Sequence, residues 1–332
     1  MMSLLLRRRG FTQGLNFNTI SSSSSYKIND EIVVMGDQAW RIVEYTAAGL
    51  YEIDVTSVSP TVPLEFLIVA GGGGGGSYLG GGGGGGGVAY GHFYPILNRR
   101  YTLTVGNRGG RWQRNGLVGE NSQILQQWND VPVARVVGGG GGGGGRIGLS
   151  GGCGGGAGSG AHPDHSSLIP GGATSTGNFL SGVEYSSFGH PGGAGIKTAA
   201  WTGPGSPGRA AAGGGGGAGG DGALGWNGTG GQGGDGIQVL VNGYHFNNKP
   251  WIYSPGGGSS GTHGRGLAGW GSNAHGQHQL WGLDTHNNGR DGNCYGAGGA
   301  GIVGKLTDAG LPRGGRGHHG CIILRYKVPM PS

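Results

Sequence analysis

Leu64-Glu-Phe-Leu-Ile-Val-Ala-Gly-Gly-Gly-Gly-Gly-Gly76 holds the decisive junction of this chain: an apolar run passes without a break into oligoglycine. Leu64 to Val69 has the β-branched and aromatic content of a strand. The same junction recurs in reverse where Gly80 to Gly87 leads into Val88 to Tyr94, and again where Val131 to Val137 leads into Gly138 to Gly145. It closes the chain at Gly320-Cys-Ile-Ile-Leu-Arg-Tyr326. Further strand-like runs are Glu31 to Met35, Tyr51 to Val55, Tyr101 to Val105, Ser122 to Leu125 and Ile237 to Val241, and no amphipathic helix pattern stands out. Strands therefore bracket the glycine, and the first and last of them are expected to pair near the base of one domain.

Glycine supplies 89 of the 332 residues, with a further block at Gly213 to Gly217, and charged residues only 11%. Collagen would need glycine at every third position, and that period is absent. A flexible linker is the plainer alternative, but the company the blocks keep favours order: hydrophobic residues make up 34% of the chain, including 8 Trp and 12 Tyr. Glycine loses the most backbone freedom on ordering and has no methyl group to bury in return. Its compensation is close backbone approach, with each main-chain hydrogen bond contributing about 0.5–1.5 kcal/mol net. That balance closes only if each segment has many neighbours. The expected conformation is the left-handed threefold polyglycine II helix, rising about 3.1 Å per residue. Closely packed β-strands remain the alternative. Interruptions such as Cys153 and Ala218 are expected at edges or beside small gaps.

The resulting fold class is mostly β plus irregular structure, with little or no α-helix. Residues 1–26 read as an extended N-terminal arm, basic at Arg7, Arg8 and Arg9 and then polar with five serines at Ser21 to Ser25. Residues 27–69 read as a β-strand base. Residues 70–328 read as the glycine-rich domain, closed by a strand over 320–327.

The formal net charge of +6 does not collect into a stripe, so nucleic acid is not expected as a partner. Cys153, Cys294 and Cys321 have no paired spacing, which points away from a disulfide framework and toward assembly in a reducing cytoplasm. The start has its leucines ahead of its arginines, the reverse of a secretory signal, and no apolar stretch is long enough to span a membrane as a helix. Gly299 to Lys305 has the look of a phosphate loop, but Leu306 replaces the metal-binding hydroxyl. The histidines of His162-Pro-Asp-His165, His275-Gly-Gln-His278 and His318-His319 have no nearby acid apart from Asp164, complete no tetrahedral set and read as solvated. No nucleophile, base and orienting acid stand together, and 16 acidic residues are thin for glycosidic chemistry. A non-enzymatic protein without cofactor or metal is expected. The aromatic residues are the best functional lead, because Trp112, Trp201, Trp226, Trp251, Trp270 and Trp281 lie in Gly, Asn and Ser-rich segments rather than in alternating strands.

The ordered landmarks resemble the glycine-rich domain family of bacteriophage tail-fibre and tail-tip adhesins. Leu64 to Gly73 is similar to that family's strand running into polyglycine, and Tyr101-Thr-Leu-Thr-Val-Gly106 to its Tyr-Thr-Val-Thr-Val-Gly segment. Pro95-Ile-Leu97, Gly119-Glu-Asn-Ser122, Arg135-Val-Val-Gly138, Gly233-Gly-Asp-Gly-Ile237 and Gly256 to Gly258 follow in order, and Gly320 to Tyr326 is similar to its closing Gly-Ile-Val-Ile-Ile-Arg-Tyr. The likeness covers roughly residues 55–328. Gly266 to Gly310 is richer in His, Asn and Trp than the pattern, and the N-terminal arm has no counterpart in it. The resemblance implies a virion protein, assembled in the host cytoplasm, whose polyglycine rods carry receptor-binding loops. The receptor-binding residues expected on that basis are Trp201, Trp226, Tyr244, His245, Phe246, Trp251, Tyr253, Trp270, His275, His278, Trp281 and Tyr295. The expected partner is a host surface glycan or outer-membrane protein. Arg7, Arg8, Arg9 and Phe11 would dock the arm on other virion proteins, and a homotrimer is expected. An architectural virion protein, such as a head fibre, capsid decoration or tail attachment, is the alternative.

Overall fold

Alternation across Ile28–Met35 (β2) and Gly49–Ser57 (β4) gives each a face to bury, Gln38–Tyr45 (β3) and Leu64–Val69 (β5), buried almost throughout, have two, and a computed structural model shows what covers them. The structure describes residues 15–20, 27–77, 79–110, 115–159, 168–175, 177–196, 210–261, 267–269, 289–302 and 313–331. Asn16–Ile20 (β1) precedes these strands. Val88–Phe93 (β6), Arg100–Val105 (β7), Ser122–Gln126 (β8) and Val131–Val136 (β9) follow them. Leu168–Ile169 (β10), Asn178–Phe179 (β11), Glu184–Phe188 (β12), Gly195–Ile196 (β13), Leu240–Val241 (β14), Tyr244–His245 (β15) and Cys321–Val328 (β16) complete the series. The described residues contain no helix.

Two six-stranded antiparallel sheets result, one in the order β1-β4-β7-β8-β9-β11 and the other in the order β12-β6-β5-β16-β3-β2. The last strand, β16, lies between β5 and β3 rather than against the first strands, since β1 pairs with β4 and β2 with β3. Their inner faces form one core: Phe17, Tyr51, Ile53, Tyr101, Leu103, Ile124 and Val136 from the first sheet meet Val43, Tyr45, Leu64, Phe66, Ile68, Ile322 and Leu324 from the second. Burial of each such side chain is worth about 1.5–3 kcal/mol. On the outer face of the second sheet, Trp40, Ile42, Leu67, Val69 and Ile323 are covered by Val239, Phe246, Trp251 and Tyr253. Glu44 pins this cover, accepting bonds from Asn247 Nδ2 at 2.8 Å and Lys249 Nζ at 2.8 Å.

Three further expectations need correction. The segment assigned to an extended arm contributes β1, paired with β4, and Phe17 is fully buried. The base also takes strands from beyond residue 69, because β6 to β9 and β12 lie in the same two sheets. Ile237 to Val241 is a strand only at Leu240–Val241, while Ile237 bridges Tyr253.

At one end of the sandwich the strands become glycine rods without losing register. Val69 pairs with Val88 in β5 and β6. Beyond them Ala70 N–H donates to Gly87 O at 3.0 Å, Gly73 to Gly84 at 2.8 Å and Gly76 to Gly81 at 2.9 Å. The β5–β16 pair continues likewise, Gly72 donating to His318 O and Gly75 to Gly315 O, both at 2.8 Å. The third amide set, Gly71 to Glu120 O at 3.0 Å and Gly74 to Leu117 O at 2.9 Å, reaches the chain that leads into β8 of the opposite sheet. Successive amides thus rotate through three neighbours, whereas a strand alternates between two. None of Gly71 to Gly76 or Gly80 to Gly87 has a positive φ. These are the marks of polyglycine II, and they decide against close-packed strands.

Gly80 to Gly87 is fully enclosed. Its amides donate to Ile302, Gly299 and Gly296 on one neighbour, to Gly143, Gly140 and Val137 on a second, and to Gly213 and Gly216 on a third. Three other segments donate back to it, through Gly73 and Gly76, through Cys153 and Gly156, and through Gly257 and Ser260. Stacked sheets stand about 10 Å apart because side chains fill the gap. Where side chains vanish, the gap closes to main-chain hydrogen bonds. Ser122 marks the seam: its buried hydroxyl donates to Val69 O of the facing sheet at 2.8 Å and accepts from Gly106 N at 2.9 Å. A Cβ placed on any of Gly71 to Gly76 or Gly80 to Gly86 would fall closer than 3.0 Å to the backbone of a neighbouring segment.

Larger residues occur where the lattice has room. Leu117, Ile147 and Leu149 are exposed. Ala218 lies under the cover of the second core. Cys153 is fully enclosed, but it shares a gap with another interruption, its Sγ standing 3.8 Å from Ser254 Oγ.

Candidate functional site

Rods that leave the sandwich and rods that return to it define two ends of the glycine body. Residues 70–76, 137–144 and 296–302 run outward, and residues 80–87, 211–217 and 314–320 run back, as their pairings show. Gly80 to Gly87 alone places the far end about 25 Å from the sandwich. At that end Gly80 N–H bonds Ile302 O at 2.9 Å, Ser159 N–H bonds Leu79 O at 3.0 Å, and Ala211 bridges both Ile196 and Gly261. Gly314 N–H bonds the buried Ser77 hydroxyl there at 3.0 Å. The connections 160–167, 197–209 and 303–312 therefore each begin and end at residues anchored on the same end of the lattice.

Trp226 belongs to this end. Gly225 N–H bonds Ala194 O at 3.0 Å, and the chain then reverses over Trp226-Asn-Gly-Thr229. Asn227 and Gly228 carry φ of 50° and 81°, the pair of positive values that defines a type I′ turn. Trp226 and Thr229 exchange main-chain bonds of 2.9 and 2.8 Å. The indole is held at the base of a tight turn and is 67% exposed. A large ring with so little backbone freedom can contact a partner at low entropic cost.

The other expected residues divide sharply. Phe246, Trp251 and Tyr253 are buried in the second core, so these three serve packing rather than contact with a partner. Tyr244 is 45% exposed, but it sits at the sandwich on a second Asn-Gly turn formed by Asn242 and Gly243. His245 is half-buried beside it. Tyr295 is half-buried, its ring 5.1 Å from that of Trp251 and 5.6 Å from that of His318, and burial raises its pKa. Trp201, Trp270, His275, His278 and Trp281 lie outside the described residues, as do Trp112, the docking residues Arg7, Arg8, Arg9 and Phe11, and the His162–His165 and Lys305–Leu306 segments. Connection 270–288, which carries four of these, leaves from Gly269 and returns at Gly289, both bonded into the lattice.

The histidine pair expected in solvent is built into the junction instead. His318 and His319 have ring centroids 4.2 Å apart, and each Nδ1 bonds a main-chain carbonyl. Burial, aided by the neighbouring His319, pushes His318 down from 6.5 to about 4. Among the described residues no group of three metal-ligating side chains gathers.

Two signals in the sequence could have sorted these aromatics. The Asn-Gly dipeptides at 227 and 242 announce tight turns. Trp251-Ile-Tyr253 alternates and pairs through Tyr253 with Ile237, as a core segment would.

A search among curated proteins finds no match for this chain. The profile of the family described as "Glycine-rich domain" matches residues 46–327, which takes in β4, β16 up to its penultimate residue and every rod between them. The chain belongs to this glycine-rich domain family.

Proposed function

We propose that this chain is a non-enzymatic bacteriophage virion protein, a tail-fibre or tail-tip adhesin subunit that attaches to a host-surface glycan or outer-membrane protein through the far end of its glycine body. The observation that carries this reading is the polarity of the lattice. Connections 160–167, 197–209 and 303–312 leave from one end, Trp226 stands on a rigid turn at that end, and the side-chain-packed sandwich occupies the other. A rod body held by main-chain bonds in three directions transmits force and keeps binding groups in fixed relation. The sandwich end, from which residues 1–14 lead, would dock on other virion proteins, and a homotrimer would bring several tips to one surface.

The test uses the full chain, fluorescently labelled, on a panel of bacterial strains. Surface labelling of at least one strain, weakened about tenfold by Trp226→Ala with no change in unfolding midpoint, is the expected result; tenfold corresponds to about 1.4 kcal/mol, a modest anchor. Failure to label any strain would overturn the adhesin reading in favour of an architectural role.

A further inference from the structure

Away from the far end, on the outer face of the second sheet, one cross-strand row runs from the second core to solvent and carries charged groups along its length. Arg325, Glu65, His92 and Glu184 are direct neighbours on β16, β5, β6 and β12. The adjacent row places Tyr90 beside Ser186. Beyond these rows Val241 and Phe246, from the segment covering the sheet, raise a wall, and the open-sided cleft of about 260 Å³ is lined by Glu65, Tyr90, His92, Glu184, Ser186 and Phe246, among others.

Its groups are fixed to different degrees. Arg325 is fully buried; its Nε donates to Glu65 Oε2 at 2.7 Å, Nη1 donates to Phe246 O at 2.9 Å, and its guanidinium lies 4.2 Å from the Phe246 ring centroid and 4.6 Å from that of Trp40. Glu65 is thereby locked as an acceptor in the inner wall. The Tyr90 ring is held by stacking on Phe188 at 6.0 Å and 16°. At the open side the Glu184 side chain is 82% exposed and stands 3.7 Å from His92 Nε2.

We infer that this cleft is a saccharide subsite that takes one neutral pyranose ring. No lysine or arginine is among the residues that line the cleft, and Arg325 behind Glu65 is already engaged by a carboxylate, a carbonyl and two rings, so the cleft offers little to a phosphate, sulfate or sialic acid. Glu65 is neutralised by the same arginine, which leaves one exposed carboxylate and little reason to select a cation. What remains is a set of carboxylate acceptors, the hydroxyls of Tyr90 and Ser186 and the His92 imidazole, beside the half-buried Tyr90 ring. Vicinal hydroxyls donate to carboxylates, and the C–H face of a sugar ring packs on an aromatic ring. The volume lies below the range of about 300–1,000 Å³ usual for small-molecule pockets, which fits a single ring rather than a chain of them. The site lies at the sandwich and does not depend on the far-end surface.

The test is saturation-transfer NMR on the full chain with methyl glycosides of glucose, galactose, mannose, N-acetylglucosamine and N-acetylgalactosamine. N-acetylneuraminic acid and Nα-acetyl-lysine methylamide serve as anionic and cationic comparators. At least one neutral glycoside is expected to bind. Glu184→Ala should weaken it about tenfold, the worth of one charge-assisted hydrogen bond. Ser186→Trp, which fills the cleft, should abolish it, and Trp226→Ala should leave it unchanged. Should Ser186→Trp fail to fold, mapping of amide shifts to residues 90–92 and 184–186 replaces it. No neutral glycoside binding, binding of a comparator alone, binding indifferent to Glu184→Ala, or shifts elsewhere would each overturn the inference.

Discussion

Gly83→Ala is expected to unfold the glycine body or come close to it. Gly83 donates to Gly299 O at 2.8 Å and accepts from Gly257 N at 2.8 Å, and these two neighbours are themselves bonded through Gly301 and Gly258, so its rod is locked into the lattice. A Cβ there would meet the main chain of Gly73 and Gly74, closer than 3.0 Å, and main chain cannot rotate aside as a side chain can. Relief requires the 70–76 rod to move off, which parts Gly73 from Gly84 and Gly76 from Gly81. Parting these two bonds leaves two donors and two acceptors buried without partners, at about 1–3 kcal/mol each, so the total is about 4–12 kcal/mol. A domain's whole stability is about 5–15 kcal/mol. Gly220→Ala is the matched control: the nearest atom to its Cβ is Asp235 N at 3.5 Å and its φ is not positive. There the methyl mainly restricts the unfolded chain, worth about 0.4–1 kcal/mol in favour of folding. Urea denaturation followed by tryptophan fluorescence compares the two variants with the parent. Equal midpoints for Gly83→Ala and Gly220→Ala would refute the claim that the rods exclude side chains by backbone contact.

Two further outcomes follow from burial. His318 binds its proton less readily folded than unfolded, so its contribution to stability is complete above pH 6.5 and declines as pH falls toward about 4, by about 3 kcal/mol in all; His318→Gln should flatten the fall in unfolding midpoint over that range, and an unchanged slope would count against the buried junction. Cys153, Cys294 and Cys321 are buried, with burial raising Cys153 to about 11 and Cys294 to about 12; none should react with iodoacetamide at pH 8 until denaturant is added, and native-state labelling of Cys153 would show that the rods open.

The strands were legible where a short run rich in β-branched and aromatic residues abutted glycine, as in Leu64–Val69 and Cys321–Val328. β1 was not, because Asn-Phe-Asn-Thr-Ile follows a basic arm and has a single large anchor, Phe17, whose burial depends on a sheet assembled from distant residues. β12 was missed for a similar reason, since Glu-Tyr-Ser-Ser-Phe is an edge strand with little to bury. Among the aromatics, exposure was illegible. Trp226 and Trp251 both sit in Gly and Asn-rich context, yet one is displayed and the other buried.

From the residues alone came the apolar runs that pass into oligoglycine, the exclusion of collagen, and the need for rods with many neighbours, since these follow from local sterics and the entropy of glycine. Which segments become neighbours was decided by the tertiary structure. A glycine rod has the same backbone on every face and no side chain to choose a partner, so its register must be inherited. The sandwich supplies it: Val69 opposite Val88 and Cys321 opposite Val69 set the pairings that Gly73, Gly76 and Gly75 then continue.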